Sequence, residues 1–235
     1  MEKIMILDTE TTNDIDCPIM YDCSFIVADF NGNVYDEKAY VVADVFLDKE
    51  LMASAYYIEK MPQYWNDIKN GTRELKTLFN IKKAVAEVMK KYNITKVFAY
   101  NCRFDYLSTA LTQRYITKSR FRWFFPYGTE FYDILKMARN HFKYNEMYSA
   151  FCIDNAYITK NGKPQMTAEV VYRFLKDETF VEEHKGLEDC KIEYEILLHC
   201  FKYLVRGESI EDFVLFNNDK RITQEMLDKM PKTKG

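Results

Sequence analysis

The first 42 positions contain three apolar runs separated by turn residues. Residues 3–8 are apolar on both faces and predict a strand at the centre of a sheet. Residues 23–30 and 33–42 flank Asn31-Gly32, a strong signal for a two-residue hairpin turn. The N-terminal segment is therefore predicted to form a three-stranded antiparallel meander.

Beyond residue 70 the apolar positions follow mainly a helical repeat, whereas residues 48–70 are irregular and rich in Tyr. The elements expected there are, in order, a helix over 74–92, a short strand over 97–100, a helix after Asn101, a strand within 121–133, a short helix to about 141, and helices over 168–176 and 186–204. Asn161-Gly162 indicates a second hairpin turn. This order predicts an α/β fold with a mixed five-stranded sheet flanked by helices.

Composition supports a folded, compact unit. Hydrophobic residues make up 48% of the 235 positions, and 7 Gly and 5 Pro leave few linkers. We expect one domain over 1–210, an irregular insertion at about 142–183 and a polar tail over 211–235. The net charge of −3 is unlike that of proteins that coat duplex DNA. An acidic protein acting on nucleic acid must concentrate positive charge locally or bind metal ions.

The compartment is predicted from the cysteines and from the apolar runs. The 6 cysteines have no metal-binding spacing and lie among apolar neighbours, which is typical of reduced core residues. The N-terminus enters an apolar strand at once, and no apolar run approaches the length of a membrane span. We expect a cytoplasmic protein with no membrane partner.

Acidic residues follow two predicted strands. Asp8 and Glu10 end the first strand and, being two residues apart, project from the same face. Asn101 and Asp105 follow the strand over 97–100. Ligand sites in open α/β sheets gather at the carboxyl ends of strands, so these acids can meet at one edge. Each acid alone also has an ordinary explanation, as the end of a strand or as a charge in the first turn of a helix.

Asp189 is more informative. On the last predicted helix it falls at the margin of the apolar face, where an unpaired charge is costly. A metal ion or a salt bridge to Lys or Arg can compensate it. His184 precedes it by five residues, and a lone surface histidine is usually inert.

Three segments together resemble the DEDDh group of exonucleases, which includes polymerase proofreading subunits, ribonuclease T and oligoribonuclease. They are Asp8-Thr9-Glu10-Thr11-Thr12, Asn101-Cys102-Arg103-Phe104-Asp105 and His184-x4-Asp189, in the order of the family. The sister DEDDy group has a Tyr four residues before the last Asp, where this chain has Lys185. Asn13 replaces a common glycine, and 142–183 matches nothing in the family that we can place.

The resemblance implies an RNase H-like fold and a two-metal mechanism. Asp8, Glu10, Asp105 and Asp189 would hold two divalent cations, Mg²⁺ or Mn²⁺, roughly 4 Å apart. Asp8 would bridge both ions, Glu10 and Asp189 would complete the first, and Asp105 would act on the second. His184 would be the general base. Thr11, Asn101 and Phe104 are candidate substrate contacts, although Thr11 also suits an ordinary loop and Phe104 an apolar core.

Three functions fit these residues. The leading one is a free-standing 3′–5′ exonuclease on the 3′ ends of single-stranded nucleic acid, with DNA slightly favoured over RNA. A proofreading subunit with a polymerase partner is the second, and a catalytically silent nucleic-acid-binding domain is the third. The segment Lys118 to Tyr127 interleaves basic and aromatic residues, which is typical of a base-stacking surface or of an apolar strand with solvated margins.

Overall fold

The computed structural model describes residues 2–118, 123–204, 207–215 and 229. The described residues form a six-stranded sheet with the strand order β4-β3-β2-β1-β5-β6. The strands are β1 Ile4–Thr12, β2 Ile19–Ala28, β3 Val34–Val42, β4 Glu74–Lys76, β5 Lys96–Ala99 and β6 Glu130–Asp133. The helices are α1 Ala43–Phe46, α2 Lys49–Met52, α3 Met61–Asn70, α4 Leu78–Tyr92, α5 Cys102–Thr117, α6 Ile134–Phe142, α7 Glu146–Asp154, α8 Ala168–Leu175 and α9 Gly186–Lys202.

The predicted meander and the α/β class are confirmed. β1 pairs antiparallel with β2, and β2 pairs antiparallel with β3. At the predicted turn the Asp29 amide donates to the Asn33 carbonyl at 3.0 Å, and Gly32 takes a φ of 93°. All ten residues of β2 are buried, since the strand lies between two others with helices on both faces.

The sheet has one strand more than the five predicted. β4 pairs in parallel with β3 at the edge of the sheet, where the pattern predicts the beginning of a helix. The helix starts only at Leu78, with the Thr77 hydroxyl accepting from the Asn80 amide at 3.4 Å. A strand of three residues is too short to show a period of two, and its pairing with β3 is a tertiary contact.

The parallel half of the sheet lies beside β1. β5 pairs with β1 only through Met5 and Ile6, and β6 continues the sheet in parallel with β5. In the segment from Lys118 to Tyr127, residues 119–122 lie outside the described residues, and 123–127 form no strand. Phe124 and Phe125 are buried there, and Trp123 and Tyr127 are exposed.

Two hydrophobic cores cover the two faces of the sheet. One joins Met5 and Leu7 of β1 to α4 and α5, and the other joins Ile4 and Ile6 to α6, α8 and α9. Because side chains alternate along a strand, residues 8 and 10 continue the face that packs against α9. Thr9 continues the opposite face, which packs against α5.

The stretch 142–183 contains α7 and α8, joined by a turn at Asn161-Gly162. In that turn the Gly162 amide donates to the Thr159 carbonyl at 2.9 Å, and Ile158 bridges Pro164. The predicted helix over 168–176 is confirmed as α8.

After α9 the chain returns to the edge of the sheet. Phe213 is buried, and the Leu215 amide donates to the Phe131 carbonyl of β6 at 2.6 Å. The rest of the predicted polar tail, 216–228 and 230–235, lies outside the described residues. All six cysteines are free and buried, as expected. Within the described ranges no helix combines the length and the apolar character needed to cross a membrane.

Candidate metal centre and catalytic site

Asp8 and Glu10 lie in the second half of β1, where the strand loses one neighbour. β1 extends to Thr12, four residues beyond its predicted end. On one side Asp8 pairs with Ser24 and Glu10 with Asp22, whereas the pairing of β5 with β1 stops at Ile6. Within the described residues, the edge of β1 next to both acids is therefore free of a strand partner, and Asp8 and Glu10 are half-buried at the end of the sheet.

The first turn of α9 brings Asp189 to these acids. Helix α9 can approach β2 closely because it begins with Gly186, where an added Cβ would lie 2.9 Å from the Cβ of Ser24. Asp189 is 4% exposed. Ligand oxygens of Asp8, Glu10 and Asp189 all lie within 4.8 Å of one another. We call these three residues the acidic trio.

The acidic trio contains buried oxygens without hydrogen-bond donors. Among the described residues, Oδ2 of Asp8 and Oδ1 of Asp189 have no partner. Burial raises the pKa of Asp8 well above its usual value, and repulsion from Glu193 raises it further. Burial, with repulsion from Glu182, raises the pKa of Asp189 to about 8. Three crowded carboxylates, two of which have a buried oxygen without a donor, are the arrangement that a bound cation compensates, because the cation removes both the repulsion and the desolvation cost. The trio thus fits a divalent metal ion with oxygen ligands.

Asp105 lies beside Thr9, on the side of β1 that packs against α5, whereas the acidic trio lies on the side of α9. It is 3% exposed, in the first turn of α5. Its Oδ1 accepts from the Thr9 amide at 3.0 Å and from the Thr9 hydroxyl at 2.9 Å. Burial raises the pKa of Asp105 to about 7, although both bonds from Thr9 lower it. Asp105 repels Asp8 and is therefore close to the trio, but it is held by the backbone of β1.

His184 lies between the acids and an aromatic ring. Its backbone has a left-handed φ of 50°, and its ring stacks on Tyr57 with centroids 4.3 Å apart and planes at 11°. Nδ1 is 3.7 Å from a carboxylate oxygen of Glu182. Burial lowers the pKa of His184, and the nearby Lys60 lowers it further. The imidazole is therefore neutral at neutral pH, the form that can accept a proton.

Sequence reasoning missed three residues at this site. Glu193, 4% exposed on α9, accepts a hydrogen bond from the Tyr100 amide at 3.1 Å. Its position four residues after Asp189, on the same face of the helix, is a signal that was available. Glu182 and Tyr57 reach the site from loops, and no periodic pattern marks them. Glu182 is also within ligand distance of His184 and Asp189.

The three candidate substrate contacts lie near the end of β1 and at the start of α5. Thr11 follows a bulge in the pairing of β1 with β2 and is half-buried. Asn101 is exposed at the start of α5, with a left-handed φ of 63° and no side-chain hydrogen bond to the helix. Phe104 is half-buried one turn further on.

A buried arginine connects the elements behind the acidic trio. Arg73, 3% exposed, donates to the carboxylate of Asp22, which is fully buried on β2. Its Nη2 is 2.6 Å from Oε2 of Glu188, the residue before Asp189. Its Nε is 3.3 Å from Oδ2 of Asp67 on α3. Arg73 therefore ties the start of α9 to β2 and α3.

The geometry can be compared with known proteins. No protein-family model and no curated protein sequence matches the chain. Among solved structures, exonuclease I in complex with inhibitor BCBP superposes with a TM-score of 0.62 at 11% identity, covering 91% of this chain and 43% of that chain. Exonuclease I from Methylocaldum szegediense has a TM-score of 0.56 at 14% identity, with 87% and 41% covered. Exonuclease I from E. coli with a 5cy-dT13 oligonucleotide has a TM-score of 0.55 at 13% identity, with 91% and 42% covered. The chain spans less than half of each exonuclease I chain. The likeness shows a shared RNase H-like fold.

Proposed function

We propose that this chain is a metal-dependent exonuclease that removes nucleotides from the 3′ end of single-stranded nucleic acid. The observation that carries the proposal is the acidic trio, with two buried oxygens that lack donors in the described structure, beside a neutral imidazole. The fold shared with exonuclease I supports it. One exonuclease I structure contains a dT13 oligonucleotide, which supports DNA over RNA as the substrate.

The proposed metal ligands are Asp8, Glu10, Asp105 and Asp189. Asp8, Glu10 and Asp189 would hold one ion, and Asp105 would act with Asp8 on a second, through water where Thr9 occupies its Oδ1. Carboxylate ligands favour Mg²⁺ or Mn²⁺. When bound, such ions stabilise negative charge on the phosphate and lower the pKa of water.

The proton transfer is assigned to His184. Hydrolysis joins a water oxygen to phosphorus and breaks the bond from phosphorus to the 3′ oxygen of the preceding nucleotide. A ring nitrogen of His184 takes the proton of the attacking water, and the departing 3′ oxygen takes a proton from solvent. Stacking on Tyr57 fixes the plane of the imidazole. Its lowered pKa keeps it in the accepting form near neutral pH.

Substrate contacts are assigned to the free edge of β1. Thr11 and Asn101 present polar groups there, and Phe104 presents an aromatic ring that can stack on a base. Asn101 needs no side-chain role in the helix that it begins, so its amide is available to the terminal nucleotide.

A panel of 5′-labelled oligonucleotides tests the proposal. Single- and double-stranded DNA and RNA are incubated with the protein and Mg²⁺ or Mn²⁺, with EDTA as the metal control. We expect stepwise shortening of single strands, with DNA cut faster than RNA, and no product with EDTA. Asp8→Ala and Glu10→Gln should abolish the reaction. Glu87→Gln makes the same chemical change as Glu10→Gln on an exposed helix surface and should retain wild-type rates.

Separate results would refute the 3′ polarity of the reaction and the choice of a free-standing exonuclease among the three functions. Equal cutting of a free and a 3′-phosphorylated oligonucleotide contradicts a 3′ exonuclease. Binding of oligonucleotides without hydrolysis under every metal condition indicates the silent binding domain instead. Activity that appears only when a polymerase is added indicates the proofreading subunit.

A further inference from the structure

A second group of metal-ligating side chains adjoins the acidic trio. Glu182, His184 and Asp189 each offer one ligand atom, and these atoms lie within 4.8 Å of one another. Glu182 and His184 come from the loop before α9, and Asp189 comes from its first turn. The group contains an imidazole, unlike the acidic trio. We call it the imidazole trio.

A buried oxygen without a hydrogen-bond donor points to a ligand in the imidazole trio, and Asp189 contributes this oxygen to both trios. Asp189 is 4% exposed, and its Oδ1 has no hydrogen-bond partner in the described part of the chain. Glu182 and His184 do not satisfy each other either, because their closest nitrogen and oxygen are 3.7 Å apart, longer than a hydrogen bond. Three ligands of one tetrahedral zinc ion are separated by roughly 3.4 Å, given metal–ligand distances near 2.0–2.1 Å. The ligand atoms of the imidazole trio lie within 4.8 Å of one another, so binding would draw them closer by up to about 1.4 Å.

The loop that carries the imidazole trio is anchored on several sides. The Glu182 amide lies 3.4 Å from a carboxylate oxygen of Glu169, which also pairs with Arg173 at 2.8 Å. The His184 ring stacks on Tyr57. Anchored ligands lose little conformational freedom on binding an ion, which favours affinity.

The donor set determines which cation is preferred. Two carboxylates and one imidazole suit Zn²⁺, which accepts nitrogen and tolerates a coordination number of four. Mg²⁺ demands six oxygen ligands in an octahedron and binds imidazole poorly. Lys60 lowers the pKa of His184 and therefore lies near it, so a cation in the imidazole trio must overcome the repulsion of its ammonium group.

We propose that Glu182, His184 and Asp189 form a zinc site, which shares only Asp189 with the acidic trio, and that its occupation switches off the reaction. The inhibitory half of this proposal rests on the proposed function, and the binding half does not. A zinc ion there occupies the nitrogen of His184 that would accept a proton. It also draws Asp189, the one residue common to both trios, away from the catalytic ion.

Zinc binding is measured directly in the absence of Mg²⁺, because a Mg²⁺ ion in the acidic trio would compete for Asp189. Isothermal titration with Zn²⁺ gives the affinity, and ¹⁵N spectra of the imidazoles identify the ligand among the 3 histidines of the chain. We expect one zinc ion per chain and a shift of the His184 signals alone. Glu182→Gln should weaken zinc at least tenfold. Its neighbour Glu183 has a side chain that is 59% exposed, and Glu183→Gln should leave the affinity within twofold of wild type.

Asp8→Asn separates the two trios. It removes a ligand of the acidic trio and none of the imidazole trio, so it should retain zinc binding although it is inactive. Loss of zinc in Asp8→Asn together with unchanged binding in Glu182→Gln would overturn the proposal, as would zinc binding without a shift of His184. In an active preparation, Zn²⁺ should inhibit the reaction supported by Mg²⁺, and Glu182→Gln should raise the inhibitory concentration at least tenfold. If no hydrolysis is detected under any condition, the proposed function fails, and the titration still decides the zinc site.

Discussion

Replacing Arg73 by Met tests how the start of α9 is held. Met preserves much of the length of the side chain but removes all the donors. Asp22, which is fully buried, then loses its positive partner. Glu188 and Asp67 also lose contacts, at 2.6 Å and 3.3 Å. The substitution therefore leaves a buried negative charge without a positive partner, although the hydroxyl groups of Tyr64 and Ser24 still donate to it.

The expected cost follows from the burial of both partners. Arg73 and Asp22 have side chains that are 2% and 0% exposed. Removing one partner of a buried ion pair destabilises a protein by about 3–5 kcal/mol. For a chain of this size about 1 kcal/mol lowers Tm by roughly 2–4 °C, so we expect a decrease of roughly 6–20 °C. The contacts with Glu188 and Asp67 reach the surface and add little.

Urea and thermal unfolding, followed by circular dichroism, measure the effect. Lys83→Met is the matched control, because Lys83 pairs with Glu87 at an exposed site where both side chains are 67% exposed. It should change the stability by about 0.5 kcal/mol or less. Adding Asp22→Asn to Arg73→Met should recover part of the loss, since the uncompensated charge is then gone. A decrease below about 1 kcal/mol for Arg73→Met, or no recovery in the double variant, would refute the reasoning.

Three further predictions concern separate parts of the molecule. Gly186→Ala should lower the free energy of unfolding by about 1–3 kcal/mol, because the new Cβ would lie 2.9 Å from the Cβ of Ser24. Adding Ser24→Gly to the same chain should restore part of the stability, measured by urea unfolding. Asp189→Asn should raise the Tm at pH 7 in EDTA by the equivalent of about 1–3 kcal/mol. Burial raises the pKa of Asp189 to about 8, so folding must protonate a carboxylate that is ionised in the unfolded chain, and Asn has no such cost. Mg²⁺ should stabilise wild type but not this variant. Burial and the adjacent His141 lower the pKa of His199 to about 4, so the unfolded chain binds its proton more tightly and stability is lost as the pH falls from about 6.5 towards 4. Unfolding measured against pH should show a shallower loss in His199→Gln over that window, and an unchanged slope would contradict the assignment.

Much of the fold could be predicted because it rests on local patterns. The continuous apolar run before Asp8 and the turn at Asn31-Gly32 define the meander. The helical repeat similarly predicts α4, α5 and α9 to within a few residues, apart from the start of α4. β4 could not be predicted, since its three residues become a strand only by pairing with β3.

The residues of the candidate site could likewise be predicted only where a local pattern marks them. Asp8 and Glu10 could be placed on one face of a strand because the period of two is local. That Asp189 lies on the same side of the sheet, and Asp105 on the side of Thr9, depends on which helices pack on which face. Glu193 could have been recognised from its spacing on α9. Glu182 and Tyr57 could not, because loop residues carry no periodic signal.

The sequence by itself determined which residue types are available for chemistry and which strand and helix present them. Only the tertiary structure decided which of them converge. It fixed Asp105 against β1 through two hydrogen bonds from Thr9, and it placed Glu182 beside His184. The physical reason is that a ligand site depends on distances of a few ångströms between elements far apart in the chain. These distances are fixed by packing, such as the close contact of Gly186 with Ser24 and the buried ion pairs of Arg73.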